Sequence, residues 1–163
     1  MAHPLRPFRT TVQPQWIDYN GHMNVAFYVL AFDKATDGLL DHLGLGETYR
    51  RTTDRSVYVL EAHVSYEREL RLGEPLLIDT QLVDADDKRL HFFHRMTHAE
   101  AGYLTATNEL LALHVDLAGP KAAPMPKAAL AELEQVLALH RRLPPPPQLG
   151  RVIALKRPPP ASR

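Results

Sequence analysis

The sequence predicts a single α+β domain in which an antiparallel β-sheet wraps around one long central α-helix. Three observations predict it. Residues 24–43 carry apolar side chains at steps of three and four, the period of a helix with a buried face. The stretches that follow alternate or run apolar at strand length and are separated by turn-rich residues. At 163 residues and 45% hydrophobic, the chain fits one domain with a core of its own.

A first strand is expected between Phe8 and Ile17. The long helix follows, with Val25, Tyr28, Val29, Phe32, Leu39, Leu40 and Leu43 on its apolar side and Gly44 as the residue that ends it. "SVYVLEAHVSYE" then alternates. Tyr58, Leu60, Ala62, Val64 and Tyr66 fall on one face, and Val57, Val59, Glu61, His63 and Ser65 on the other. "PLLIDTQLV" and "RLHFFHRMTH" are strands joined by the turn "DADDK", and "GYLTATNELLALHVD" is a further long strand. The order reads as an antiparallel meander beside one helix, which the sheet is free to enclose. Residues 127–142 form a C-terminal helix through Leu130, Leu133, Val136, Leu137 and His140, and the prolines from Pro144 onward stop it. Residues 1–143 are therefore read as the domain, and 144–163 as a Pro-rich, polyproline-like or poorly ordered extension.

Composition narrows the function. Nineteen basic and 19 acidic residues cancel, so no net field draws in nucleic acid or an anionic membrane. The absence of cysteine removes disulfides, thiolate metal sites and cysteine nucleophiles. No apolar run reaches the length of a membrane span and the first residues do not read as a signal peptide; the expectation is a cytoplasmic protein. The histidines of "HFFHRMTH" do not make a metal site, because His91 and His94 point to opposite faces and a third ligand is missing.

The segment "WIDYNGHMN" sets Asp18, Asn20, His22 and Asn24 on alternate positions directly before the helix. A helix start needs one cap, and here polar side chains are in surplus. The plain readings are an Asx-turn at Asp18, Asn20 and Gly21, a cap at Asn24 and a structural histidine at His22. The segment resembles the D-x-N-x-H-x-N motif of the hotdog-fold thioesterases, in the group around 4-hydroxybenzoyl-CoA thioesterase. "ATDGLL", "GEPL" and "DADDKRLHFFHRM" further resemble the betainyl-CoA thioesterases found beside, or fused to, carnitine dehydrogenase. The likeness covers roughly residues 8–120.

The resemblance implies a hotdog fold and an acyl-CoA thioesterase acting on a short or small polar acyl group, with betainyl-CoA of carnitine breakdown as the candidate substrate. Water is the second substrate and no cofactor is implied. Asp18 becomes the nucleophile or general base, with His22 and Asn24 as its catalytic companions. Amide N–H groups of Met23, Asn24 or Val25 become donors to the oxyanion; Asn20, with His22 and Asn24, orients water, Asp18 and the loop, and Asn20 and Gly21 count among the substrate-binding residues. Trp16, Tyr19 and Tyr28, with Phe27, offer aromatic faces to a quaternary ammonium, although Phe27 and Tyr28 at helical spacing are ordinarily core. Glu61 is a candidate second acid, supplied to a facing subunit. Arg50, Arg51, Arg55, Lys88 and Arg89 are cationic candidates for the coenzyme A phosphates, although most such residues are simply solvated. The fold also implies a homodimer or homotetramer. Two other functions remain open: hydration or dehydration of an enoyl thioester, and binding of acyl-CoA without catalysis.

Overall fold

The computed structural model describes residues 5–155. Strands β1 (Phe8–Thr11), β2 (Arg55–Tyr66), β3 (Pro75–Ala85), β4 (Arg89–His98), β5 (Leu104–Asp116) and the short β6 (Lys121–Ala122) form one sheet. Every pairing is antiparallel and the order is β1-β3-β4-β5-β2, with β6 beside β5. The helices are α1 (Val25–His42), α2 (Glu47–Thr52) and α3 (Lys127–His140). The arrangement is the expected one, a helix held by an antiparallel sheet.

Helix α1 buries Tyr28, Ala31, Phe32, Ala35, Thr36 and Leu39 at the predicted period. Asn24 caps its start and Gly44, at φ +70°, follows its end. The interior divides into two apolar clusters. One joins the first half of α1 to Leu76, Ile78, Met96 and Ala106, and the other joins Leu39 and Leu43 to Leu82, Phe92, Leu110 and the α3 residues Leu133, Val136 and Leu137. Helix α3 is fixed to the sheet at a bulge in β3, where Leu82 N–H donates to His140 Nδ1 at 2.8 Å.

The structure departs from the simple alternation of β2. The register slips between Val59 and Glu61, leaving Leu60 unpaired. Tyr58 pairs with Leu113 and Val59 with Ala112, whereas Ala62 pairs with Leu110 and Val64 with Asn108. Val57 and Val59 thus share the inner face with Ala62, Val64 and Tyr66, while Tyr58 joins Glu61, His63 and Ser65 on the outer face. A period-two count cannot see an inserted residue. Helix α2 was likewise absent from the expected elements, since its six residues are too few to display a period.

Residues 144–151 cross the outer face of the sheet. Gln81 Nε2 donates to Pro144 O at 3.4 Å, Gly150 N–H to Glu109 Oε2 at 2.7 Å, and Arg151 pairs with Glu67 at 3.0 Å. The end of the Pro-rich extension, from residue 156, lies outside the described residues.

Candidate active site

The loop leading into α1 is closed by its own backbone. Ile17 and Met23 form an isolated antiparallel bridge. Asp18 N–H donates to His22 O and Gly21 N–H to Asp18 O, both at 3.0 Å. Gly21 takes φ +78° at this turn, a region that disfavours any side chain. Met23 N–H then donates to Leu70 O and Asn24 N–H to Trp16 O, both at 2.8 Å, so two of the three amides considered as oxyanion donors are already engaged.

The third is not. Asn24 Oδ1 accepts from Ala26 N–H at 3.0 Å and Asn24 O from Phe27 N–H at 3.0 Å. Val25 N–H, the first amide of α1, donates to no acceptor among the described residues. It stands at the positive end of an 18-residue helix. Val25 itself is 56% exposed, so the amide is not sealed in the core.

Asp18 is half-buried, and its Oδ1 accepts from Asn20 N–H at 2.8 Å. Its other oxygen has no hydrogen bond within the described residues. The Asx-turn and the helix cap are therefore both real, and neither consumes Asp18 Oδ2 or Val25 N–H. His22 is half-buried on the same loop. The Glu69 carboxyl is held below its usual range first by a hydrogen bond to its own backbone amide, with His22 among the lesser charges that pull it down.

The aromatic candidates separate. Trp16 stacks on Phe27 with centroids 5.8 Å apart and planes 15° apart, and both rings are half-buried beside the helix start. Tyr19 is 97% exposed and joins no other ring among the described residues. Tyr28 is core: its hydroxyl accepts from Leu70 N–H at 3.0 Å, and burial pushes its pKa up to about 12. Tyr28 also meets Tyr66 edge-on at 5.3 Å. Tyr66 itself was not among the expected site residues, yet its hydroxyl donates to Val25 O at 3.3 Å. Nothing in the spacing ties residue 66 to residue 25; only the sheet's closure around α1 does.

Glu61 lies on the outer face, lining a cavity of about 390 Å³ with His63, His91, Glu109 and Arg151. Within one chain it stands on the face opposite α1. The histidines of β4 each have a partner: His91 pairs with Glu109 at 2.8 Å, His94 lies between Thr36 and Thr80, and His98 Nδ1 accepts from Ala101 N–H at 3.0 Å. Of the cationic candidates, Arg89 is held by Asp86 at 2.6 Å and Arg51 faces Glu47 at 3.9 Å. No helix among the described residues is long and apolar enough to cross a membrane.

Residues 12–133 match a family model described as the thioesterase-like superfamily. The chain is 41% identical over 155 residues to the betainyl-CoA thioesterase of Pseudomonas aeruginosa PAO1, covering 95% of this chain and 98% of that protein. It is 37% identical over 154 residues to the L-carnitine dehydrogenase/betainyl-CoA thioesterase of Rhizobium meliloti, covering 94% of this chain and 31% of that longer protein. Among solved structures, protein SAV2348 of Staphylococcus aureus in complex with CoA superposes with a TM-score of 0.89 at 28% identity, over 96% of this chain and 98% of that one. The chain belongs to the thioesterase-like superfamily, a thioester hydrolase with the hotdog fold.

Proposed function

We propose that this protein hydrolyses betainyl-CoA to betaine and CoA. The observation that carries the reading is that, among the described residues, Val25 N–H at the start of α1 and one carboxylate oxygen of Asp18 on the closed loop leading into it are both without a hydrogen-bond partner. Identity to a full-length betainyl-CoA thioesterase supports the substrate. A thioester carbonyl directed at Val25 N–H gains a donor that strengthens as negative charge develops on oxygen. One such donor is worth about 3 kcal/mol, on the order of a hundredfold in rate. Asp18 attacks the carbonyl carbon directly or takes a proton from the attacking water. In the water route the acyl carbon gains its oxygen from water; in the direct route it gains an Asp18 oxygen, and water then hydrolyses the resulting anhydride. In both, the C–S bond breaks and the proton goes to the departing sulfur. His22 and Asn24 hold the loop that carries Asp18.

The acyl group of betainyl-CoA is a fixed cation with no N–H. An aromatic face suits it, and the half-buried Trp16–Phe27 stack offers one beside the helix start. A second copy of the chain completes the site. Strand β2 ends the sheet with an open edge, and Val59 and Leu60 on it, with Val25 and Val29 on α1, are exposed apolar side chains. Pairing β2 of one copy with β2 of another covers this strip and continues the sheet.

Release of free thiol from a panel of acyl-CoAs tests the reading. Betainyl-CoA is expected to give the highest kcat/KM, and Asp18→Asn to lower turnover at least a hundredfold while the protein stays folded. Hydrolysis undiminished by Asp18→Asn would falsify the mechanism. A single turnover in ¹⁸O-water probes the two routes: label entering Asp18 establishes the direct route, with water opening the anhydride at the Asp18 carboxyl carbon, whereas the water route puts label in betaine alone.

A further inference from the structure

One row of polar side chains crosses the inner face of the sheet between the two apolar clusters. Thr80 on β3, His94 on β4 and Asn108 on β5 are direct cross-strand neighbours, and Val64 on the edge strand β2 is the next in line. Most of the row is saturated. Thr36 of α1 donates its hydroxyl hydrogen to Phe32 O at 3.1 Å, so its oxygen must accept from His94 Nε2–H at 2.9 Å. His94 Nδ1 is then bare and accepts from the Thr80 hydroxyl at 2.9 Å. Each hydroxyl has one hydrogen and each is used.

Asn108 is the exception. It is 2% exposed, and its Oδ1 is buried with no hydrogen-bond partner among the described residues. An amide oxygen in this condition is uncommon in a native interior and weakens the fold, whereas an apolar residue of similar volume would not. The saturated chain beside it has no hydrogen left to give. On the other side stands Val64, half-buried, on the strand whose edge is open. Ala106, two residues from Asn108 on the same face, pairs with Tyr66, the residue that reaches Val25 O. Two residues along a strand span about 7 Å. The unmatched oxygen therefore lies two residues along the sheet from the residue paired with Tyr66, whose hydroxyl reaches the helix start.

We propose that Asn108 is a specificity-determining residue, whose Oδ1 reads the charge of the acyl head group and favours a cationic head over a neutral one of the same shape. The inference rests on the thioesterase reading above and deepens it. A quaternary ammonium spreads its positive charge over its methyl groups. It satisfies the negative end of an amide dipole without an N–H, and does so strongly where water is excluded. Val64, paired with Asn108, and Phe32, stacked on the adjacent His94, contribute shape and no charge preference.

The test compares betainyl-CoA with 3,3-dimethylbutyryl-CoA, in which carbon replaces the quaternary nitrogen. Asn108→Leu is expected to lower the betainyl-to-neutral ratio of kcat/KM at least tenfold, with a melting temperature equal to or above that of the wild type. Asn108→Ala, which adds no bulk, is expected to shift the ratio in the same direction. A ratio within twofold of the wild type in both variants overturns the proposal and assigns Asn108 a structural role only. Wild-type protein that prefers the neutral thioester instead overturns the betainyl reading. The ratio shift in the variants remains measurable there, so the two failures are distinguishable.

Discussion

Acidification should weaken the fold through one residue, His94. The ring is fully buried, stacked on Phe32 at 5.7 Å and bonded at both nitrogens. Protonating Nδ1 turns the acceptor of the Thr80 hydroxyl into a second donor, within an apolar interior. Burial accordingly lowers the pKa from 6.5 to about 3. In the unfolded chain the ring titrates normally, near 6.5. Between these values the unfolded state binds the proton and the folded state does not, so stability is complete above about pH 6.5 and falls as pH drops toward 3. At roughly 1.4 kcal/mol per pH unit below the unfolded pKa, the loss between pH 7 and pH 5 is about 2 kcal/mol. Urea unfolding followed by Trp16 fluorescence, at fixed protein concentration, measures it. The other histidines contribute to the wild-type slope, so the reference is His94→Gln, which does not titrate. The wild type should lose about 2 kcal/mol more than the variant over this interval. Equal losses in both proteins would show that the Thr36–His94–Thr80 chain tolerates the proton and that the argument is wrong.

Three further outcomes are expected. Asn24→Ala removes the acceptor for Ala26 N–H and should cost about 1 kcal/mol in thermal unfolding, whereas Asn24→Asp should retain most of that stability. Gly21→Ala should destabilise by roughly 1–2 kcal/mol through backbone conformation alone, because the added Cβ meets nothing within 4 Å. A larger loss in a urea titration would reveal a steric demand that the loop does not show. Trp16→Ala should raise the KM for betainyl-CoA more than that for acetyl-CoA; equal increases would remove the aromatic face from the account of selectivity.

Much of this fold could be read before the structure, and the reasons are physical. Helix α1 repeats its apolar step over 18 residues, long enough for a period to declare itself, and Asn24 and Gly44 mark its ends with side-chain and backbone chemistry that act locally. The cap at Asn24 and the Asx-turn at Asp18 are local in the same sense. What escaped is non-local or aperiodic. The bulge at Leu60 adds one residue to one strand and moves Tyr58 to the other face, which no count along β2 alone predicts. Tyr66 meets Val25, and Met23 N–H meets Leu70 O, only because the sheet curls back over the helix. The choice among three candidate amides was therefore invisible in the sequence. It depends on which of them the surrounding chain had already engaged.

The way the Ile17–Met23 loop is closed separates two jobs that many sites entangle. Main-chain bonds from residues 18, 21, 23 and 24 fix its path, and the outward side chains at 19 and 20 take no part in its closure through their tips. The amide at residue 25 is thus set by backbone geometry, while the stacked rings at 16 and 27 take no part in those bonds. On the proposed function, altering those rings should change which acyl group is accepted and leave the amide at residue 25 in place. A scaffold so partitioned can be retuned for new thioesters one surface at a time.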